Sequence, residues 1–334
     1  MNKKRVLAML LAGAMALSMI ACGGGNSAST DGSSNDGGAS ASSGSYKVSV
    51  ILKTLAAEYW QYVKSGAEDY ASEHSDKVTV EVKGPSSETA FDEMQNMIET
   101  DLSSGSYDGV IISPLQSDTA AQLVSGTKLP IVAIDTNFTA PEVKSFVGTG
   151  NEAAAKKGGE AAVEAAKAAG WTDIKCIEIA GVQGDQTNTA RMNGYKAGVE
   201  EAGGTFLSDE VQYADATADR ATTAMEAIMQ THPEGIAIIC ANNDDMAMAA
   251  ARAAQGHDAY KNTIFLGFNG DRAACEAILA GQMTMSVAQM AYEMGYKAVE
   301  TMVQVLDGET VDEFVDSGSD VVTPDNAQER LDTL

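Results

Sequence analysis

The sequence predicts an α/β protein made of two units, each a parallel sheet covered by helices on both faces. Three observations lead to this fold class. Apolar runs of strand length alternate with amphipathic stretches of helix length, the alternation begins again halfway along the chain, and polar residues follow the strands. Strict alternation of strands and helices is typical of parallel, doubly covered sheets. The length of 334 residues also suits about two domains.

The stretch from residue 236 to 252 displays the repeating unit most clearly. Its apolar run, residues 236–240, ends in a polar turn, and small apolar residues then recur at helical spacing. Ligands of open α/β sheets sit beyond the carboxyl ends of the strands, so we expect Asn243 and Asp244 at a binding edge. The alternative is that these residues only cap the helix and complement its dipole.

In the first series, strands are predicted at residues 47–53, 78–83, 108–112, 130–134 and 145–147. Helices are predicted from residue 55 to about 74, from 88 to about 104 and from residue 117 onward. The turn at residues 148–153, GTGNEA, matches a dinucleotide-binding pattern only superficially, because it follows the fifth strand and not the first. We expect the chain to pass there from one unit to the next.

The second series repeats the pattern. Strands are predicted at residues 174–179, 205–211, 236–240, 264–268 and 283–288, and helices at 151–169, 187–202, 217–230, 271–279 and 292–306, with short extended pieces after them. The last helix follows a complete second unit, so it is free to return to the first. The predicted N-terminal lobe is therefore residues 46–149 with 290–317, and the C-terminal lobe is residues 150–289 with 318–334.

The first 45 residues predict export and anchoring. A basic start, Lys3 to Arg5, precedes an apolar run that is short for a membrane span, and Ala21 precedes Cys22. This pattern resembles a bacterial lipoprotein signal, with residues 1–21 as the signal peptide and Cys22 as the lipidated residue. Residues 22–45, rich in Gly and Ser, read as a flexible linker that tethers the folded body to the outside of the cell membrane. The alternative is an ordinary secretory leader followed by an unrelated cysteine.

Composition and motifs exclude several function classes. A net charge of −25 repels nucleic acid and disfavours anionic ligands. The three cysteines of the body, Cys176, Cys240 and Cys275, read as buried thiols, and no spacing of Cys and His suits a metal. No GxSxG, HExxH or P-loop motif occurs, so we expect neither an enzyme nor a cofactor.

Polar and aromatic residues cluster after the predicted strands or at the starts of helices. Planar polar groups can make paired hydrogen bonds to adjacent hydroxyls, and an aromatic face can pack on the C–H surface of a sugar. Together they suit a small, uncharged polyol, whereas the alternative for each residue is a cap or turn role. The candidate binding residues are Lys53, Tyr59, Trp60, Ser113, Asp135, Thr136, Arg191, Asn243, Asn269 and Gln289, and the polar turn at residues 184–186 belongs to the same pattern.

Several runs of the chain carry a family resemblance. They are LKTLAAEYW (52–60), YDGVIISP (107–114), LPIVAID (129–135), TARMNGYKAG (189–198), CANNDDMAMAA (240–250), FLGFNGD (265–271) and SVAQ (286–289). From about residue 46 to 320 the chain resembles the periplasmic sugar-binding proteins of the ribose- and galactose-binding group, which feed ABC importers. The resemblance implies two Rossmann-like lobes joined by three crossovers, which close on a sugar by hinge bending, and a permease as partner.

The resemblance also implies roles for individual residues. Tyr59 and Trp60 would stack on the sugar, and Asp135, Arg191, Asn243 and Gln289 would bind its hydroxyls. Three positions depart from the pattern of ribose binders, namely Ser113 in place of Asn, Thr136 in place of Arg, and Asn269 in place of Asp.

These departures change the expected hydroxyl contacts, so we expect an aldose or similar polyol other than ribose. Lys53 at the end of the first strand is similar to a residue of the receptors for a furanose-like autoinducer-2 signal, although it could instead pair with Asp135. A receptor for that signal, or a sugar sensor coupled to a chemoreceptor, is therefore the alternative. A transcriptional repressor built on the same lobes would need a basic helix-turn-helix where this chain has its leader and linker.

Overall fold

The computed structural model describes residues 45–334. The predicted signal peptide, Cys22 and the linker up to residue 44 lie outside this range. In chain order the strands are β1 (Tyr46–Ile51), β2 (Val78–Lys83), β3 (Gly109–Ile112), β4 (Ile131–Ile134), β5 (Val143–Gly148), β6 (Lys175–Ala180), β7 (Thr205–Phe206), β8 (Gln212–Tyr213), β9 (Ile238–Ala241), β10 (Ile264–Asn269), β11 (Met285–Gln289), β12 (Phe314–Asp316) and β13 (Ser319–Val322).

The helices alternate with these strands. They are α1 (Glu58–Glu73), α2 (Phe91–Ser104), α3 (Ser117–Val124), α4 (Asn151–Ala168), α5 (Gln186–Glu201), α6 (Ala218–Thr231), α7 (Asp244–Ala254), α8 (Arg272–Leu279), α9 (Ala291–Leu306) and α10 (Ala327–Asp332). From residue 45 to the last residue, none of these helices has both the length and the apolar character that a membrane crossing requires.

The strands form two sheets, and each sheet is the centre of one lobe. The order in the N-terminal lobe is β12-β5-β4-β3-β1-β2, with all pairs parallel. The order in the C-terminal lobe is β13-β11-β10-β9-β6-β7, and β8 also pairs with β6. Only β13 among the described strands runs antiparallel, against β11. The predicted α/β class with two parallel sheets is confirmed.

Apolar clusters cover both faces of each sheet, which explains why the central strands are continuous apolar runs. Every residue of β3 and β4 is buried. In the N-terminal lobe, α1 and α9 pack on one face and α2 and α3 on the other. In the C-terminal lobe, α4 and α5 cover one face and α6, α7 and α8 cover the other.

The chain passes between the lobes three times. It leaves the first sheet after β5 to begin α4, returns from β11 to α9, and crosses again from β12 to β13. Helix α9 packs on α1 within the N-terminal lobe. All three connections are short, so the lobes are joined by a three-strand hinge.

Glycines allow the closest helix pair of each lobe to touch backbone to backbone. A Cβ atom on Gly295 of α9 would lie 1.9 Å from the carbonyl oxygen of Val63 in α1. A Cβ atom on Gly198 of α5 would lie 2.1 Å from the carbonyl oxygen of Lys156 in α4. Because no side chain fits there, these positions require glycine.

Two expectations about secondary structure are wrong. The strand predicted at residues 205–211 is two short strands, β7 and β8, separated by a 3-10 turn at Ser208–Glu210. Three consecutive polar residues favour this turn over continued pairing with β6. Helix α10 was not predicted, because it has six residues and buries only Ala327, which leaves too weak an apolar pattern to detect.

Candidate functional site

A small cavity lies between the lobes, where the carboxyl ends of both sheets face each other. It has space of about 40 Å³ and is enclosed by side chains from both lobes. Seven of the ten predicted binding residues line it: Lys53, Tyr59, Trp60, Asp135, Arg191, Asn243 and Asn269. The strand-end pattern therefore identified residues that the fold brings together.

Lys53 lies between two carboxylates of this cavity, those of Asp135 and Asp185. Its ammonium forms a buried ion pair with Asp185 of the opposite lobe and lies 4.0 Å from a carboxylate oxygen of Asp135. Burial disfavours the ammonium, but the carboxylates of Asp185 and Asp135 outweigh this effect, so the pKa of Lys53 is raised. Lys53 is therefore charged at neutral pH and is shared between carboxylates of both lobes.

Asp135 is held by hydrogen bonds within its own lobe. The hydroxyl of Tyr59 donates to one carboxylate oxygen at 2.7 Å, and the hydroxyl of Thr136 donates to the other at 2.9 Å. The backbone at Asp135 has a φ of 61°, a left-handed conformation that is uncommon outside glycine. Directly after β4, this turn aims the carboxylate into the cleft, and such strain is often found at functional sites.

The two aromatic residues of α1 form one wall. Tyr59 and Trp60 pack edge to face with their ring centroids 5.0 Å apart, and both belong to the apolar cluster under α1. The indole Nε1 of Trp60 donates to a carboxylate oxygen of Glu88 at 3.0 Å. Burial raises the pKa of Glu88, while Lys53 and the indole N–H oppose this effect. The hydrogen bond from the indole to Glu88 fixes the orientation of the Trp60 ring.

Arg191 is fixed on the opposite wall by three contacts. Its Nε donates to the side-chain oxygen of Asn151 at 2.9 Å, and its Nη1 donates to the carbonyl of Asn242 at 2.7 Å. The guanidinium carbon lies 3.8 Å from the centre of the Phe268 ring. These contacts engage Nε, Nη1 and one face of the guanidinium. The side chain is buried, but the group still lines the cavity.

The turn after β9 serves two roles. Asn243 caps α7, because its side-chain oxygen accepts from the backbone N–H of Met246 at 2.9 Å, and it also lines the cavity. Asp244, which we expected at the binding edge, points into the lobe. It accepts from the hydroxyl of Ser286 at 2.6 Å and from the backbone N–H of Asp271 at 3.0 Å.

Three of the predicted binding residues do not line the cavity. Thr136 is turned toward Thr187 of the other lobe, and their hydroxyl oxygens are 2.7 Å apart. Gln289 donates from Nε2 to the side-chain oxygen of Asn269 at 2.9 Å, so it supports a wall residue from behind. Ser113 is completely buried, and its hydroxyl has no hydrogen-bond partner among residues 45–334. Each is near the sheet edge, but its side chain faces the core or the other lobe.

Residues 48–310 match the family described as "Periplasmic binding protein domain". This chain belongs to that family. As a periplasmic binding protein it is similar to the D-allose-binding periplasmic protein of Escherichia coli (strain K12), at 30% identity over 264 residues, which is 76% of this chain and 82% of that protein. It is also similar to the ribose import binding protein RbsB of the same organism, at 27% identity over 79% of this chain and 86% of the relative.

Solved structures support the same fold. An ABC transporter solute binding protein from Mycobacterium smegmatis with bound glycerol has a TM-score of 0.74 at 25% identity, covering 86% of this chain and 96% of its own. A carbohydrate transporter solute binding protein from Agrobacterium radiobacter, in complex with D-arabinose, has a TM-score of 0.78 at 24% identity, covering 88% and 99%. These neighbours confirm the expected arrangement of two lobes.

Three acidic residues of this periplasmic binding protein's cavity, Glu88, Asp185 and Asp245, were not among the ten candidates. Asp185 lies in the polar turn after β6, where its carboxylate also caps α5 by accepting from the backbone N–H of Asn188 at 3.0 Å. Glu88 lies in the loop after β2, whereas the sequence placed it at the start of a helix that actually begins at Phe91. The strand-end pattern had included the turn at residues 184–186 without selecting Asp185 as a candidate, and Glu88 also follows a strand.

The chemistry of the cavity is that of a hydrogen-bonding site. Two cations, Lys53 and Arg191, face four acidic side chains, those of Glu88, Asp135, Asp185 and Asp245. In the described part of the chain, no group of three His, Cys, Asp or Glu residues is placed to hold a metal ion. The arrangement offers donors and acceptors in pairs, which suits adjacent hydroxyl groups.

Proposed function

We propose that this periplasmic binding protein captures a small neutral sugar or similar polyol between its lobes and delivers it to the transmembrane subunits of an ABC importer. The observation that carries the proposal is the interlobe cavity, whose walls combine an aromatic pair with fixed carboxylate, amide and guanidinium groups. Relatives named as D-allose-binding and ribose import binding proteins support the ligand class.

Binding would proceed by closure of the lobes around the three-strand hinge. The space of about 40 Å³ is too small for a sugar, so the lobes must separate for one to enter. Asp135 and Arg191 belong to opposite lobes and are already held by protein partners, so a ligand that contacts both would favour the closed shape without ordering either side chain. A permease can recognise that closed shape.

The charges favour an uncharged ligand. Four acidic side chains and two cations line the cavity, so the anion of an acidic sugar would meet an excess of negative charge. Neutral hydroxyls, in contrast, can donate to the carboxylates and accept from Lys53 and Arg191. We therefore expect a neutral sugar to bind and the corresponding uronate or phosphate ester to be rejected.

We further propose that the protein is held outside the cell membrane by a lipid on Cys22. The basis is the leader at residues 1–21 with Ala21 before Cys22, and a Gly- and Ser-rich linker that continues to residue 45. Intact mass spectrometry of the membrane-extracted protein should show a chain that starts at residue 22 with an added diacylglycerol. A Cys22→Ala variant should lose this mass and the membrane association, and an unmodified wild-type chain would contradict the proposal.

A receptor for the furanose-like autoinducer-2 signal is the second candidate. The observation that favours it is Lys53, placed between Asp135 and Asp185, because an ammonium between two carboxylates can hold a compact, highly hydroxylated ring from three sides. A sugar sensor coupled to a chemoreceptor would use the same cavity, and it differs in the partner that reads the closed shape.

A thermal-shift screen of the full chain in detergent tests the proposal. The ligands are pentoses, hexoses, deoxysugars, cyclitols and the autoinducer furanone, with glucuronate and ribose 5-phosphate as acidic controls. A ligand that binds only the folded protein raises the melting temperature by mass action. A selective shift with one neutral sugar supports import of that sugar, and a shift with the furanone alone supports the second candidate. A shift with the acidic controls alone would overturn the proposed ligand class.

A further inference from the structure

Glu178 is a buried carboxyl group that the sugar site does not use directly. It lies in β6, its side chain is completely buried, and it does not line the cavity. Neither carboxyl oxygen has a hydrogen-bond partner among residues 45–334. Burying an unpaired polar group costs folding free energy, so a carboxyl in the centre of a sheet calls for a functional explanation.

The strand register places Glu178 beneath the groups that hold Arg191. Glu178 pairs in register with Cys240 of β9, and side chains alternate along a strand, so Asn242 follows Cys240 on the same face. That face is covered by α5, which carries Arg191. Arg191 donates to the carbonyl of Asn242 and stacks on Phe268 of β10. The carboxyl is thus one layer behind the guanidinium that faces the cavity.

The charged neighbour of Glu178 is Arg191. The other titratable groups that face it are the phenol of Tyr195 on α5 and the thiol of Cys240 on β9, and burial raises the pKa of both well above the usual value, which keeps them neutral. Helix α4 contributes the amide of Asn151, which is engaged by Arg191. Burial raises the pKa of Glu178 to about 8, although the nearby Arg191 charge opposes this effect.

We propose that Glu178 is a positioning residue for Arg191: as a neutral acid it leaves the guanidinium free to face the ligand, and as a carboxylate it draws the guanidinium charge back toward β6. The inference rests on the proposed sugar site. An ionised carboxylate in the low-dielectric interior attracts a nearby guanidinium strongly and competes with the ligand for its N–H donors. Glutamine at this position mimics the neutral acid at every pH.

The direction of the pH effect follows from protonation. Well below pH 8 Glu178 is mostly neutral, and we expect the affinity for sugar to be at its highest. Above pH 8 Glu178 is mostly ionised, and we expect the affinity for sugar to fall. A group with this pKa goes from mostly protonated to mostly ionised between pH 7 and 9, so the dissociation constant should rise by about tenfold over that interval. In Glu178→Gln, the change should be less than about twofold.

Two measurements on the full chain in detergent test this inference. The first follows the Nε–Hε NMR signal of Arg191 without sugar, assigned by its loss in Arg191→Lys, from pH 6 to 9.5. We expect a shift with a midpoint near pH 8 in the wild type and in the control Glu226→Gln, an exposed position on α6, and no shift in Glu178→Gln. The second is calorimetric titration of D-allose and D-ribose at pH 7 and 9.

An Arg191 signal that stays still in the wild type, or that moves equally in Glu178→Gln, would overturn the inference. The same holds if affinity falls equally with pH in both proteins. If neither sugar binds, the proposed ligand class fails for those sugars, while the sugar-free titration of Arg191 still decides the role of Glu178.

Discussion

The ammonium of Lys53, in the N-terminal lobe, is paired with the carboxylate of Asp185, in the C-terminal lobe. Both side chains are buried, and the pair crosses the cleft beside a second interlobe contact, between the hydroxyls of Thr136 and Thr187. Because the partners belong to different lobes, both contacts exist only while the lobes are closed. The closed shape therefore contains stabilising contacts of its own, which add to those that a ligand would make.

Replacing Asp185 by Asn should open the lobes and weaken binding. The change removes the nearest counter-charge of a buried ammonium and leaves Asp135, 4.0 Å away. We expect a loss of about 2–5 kcal/mol in binding free energy and a larger radius of gyration in solution scattering without ligand. Asp173→Asn removes an exposed ion pair with Lys175 and serves as the control, which should behave as wild type. Unchanged affinity and scattering in Asp185→Asn would show that the pair does not support closure.

Replacing Arg191 should reduce affinity without unfolding the protein. Arg191→Ala removes charge-assisted hydrogen bonds to the ligand, worth about 1.5–3 kcal/mol. Arg191→Lys keeps the charge but loses the fork that contacts Asn151 and Asn242 together, so it should restore little of the affinity. Calorimetric titration measures both, with Arg220→Ala, an exposed arginine of α6, as the control. Full affinity in a folded Arg191→Ala protein would remove this residue from the site.

Replacing Trp60 by Ala should lower both affinity and stability. The ring lines the cavity and also belongs to the apolar cluster under α1, with only 3% of its surface exposed. Removing a buried aromatic ring costs about 3–5 kcal/mol of folding free energy. Trp60→Phe keeps a ring but loses the bond to Glu88, so we expect a smaller loss of stability and a measurable loss of affinity. Urea unfolding and calorimetric titration separate the two effects, and a stable Trp60→Ala would contradict the core role.

Glu178 should make the folded state less stable as pH rises. Its pKa is raised to about 8 in the folded protein, compared with about 4.5 in the unfolded chain, so the folded state retains a proton that the unfolded state has lost between these values. The contribution of Glu178 to the free energy of unfolding is therefore fully present below pH 4.5 and is lost as the pH rises toward 8. The total is at most about 4–5 kcal/mol.

Urea unfolding at pH 5, 6.5 and 8 measures this contribution. The difference in unfolding free energy between Glu178→Gln and the wild type should grow steadily in favour of the variant over that range. Changes in overall charge repulsion affect both proteins alike and cancel in the difference. A constant difference would mean that the carboxyl titrates normally.

Replacing Gly295 by Ala should destabilise the N-terminal lobe. The added Cβ atom would lie 1.9 Å from the carbonyl oxygen of Val63, so α1 and α9 would have to move apart. Overpacking of this kind typically costs about 1–3 kcal/mol, which exceeds the gain in helix propensity. Gly150, the N-cap residue of α4, has a φ of −68° and open space around it, so Gly150→Ala should cost no more than about 1 kcal/mol, the usual effect of a poorer cap. Thermal unfolding compares the two, and equal stabilities would contradict the close packing.

The sequence by itself was sufficient for the fold class and for most strand positions. Apolar runs such as residues 236–240 and the helices between them are local patterns, and a parallel sheet covered on both faces needs little more than these patterns to be recognised. The sequence also placed Lys53, Asp135 and Asn243 at the ends of strands, because the carboxyl edge of a parallel sheet follows from chain direction alone. It failed where the pattern was weak, at residues 205–211 and at α10.

Only the tertiary structure decided which side chains reach the cavity and what they touch there. Ser113 and Gln289 follow the same strand-end rule as Asp135, but their side chains point into the core or support a neighbour. The pairing of Lys53 with Asp185 joins residues 132 positions apart on different lobes. The position of Glu178 behind Arg191 depends on register and on the packing of α5. These contacts depend on backbone torsions at the strand ends and on closure of the lobes. Neither can be predicted from a local stretch of the sequence.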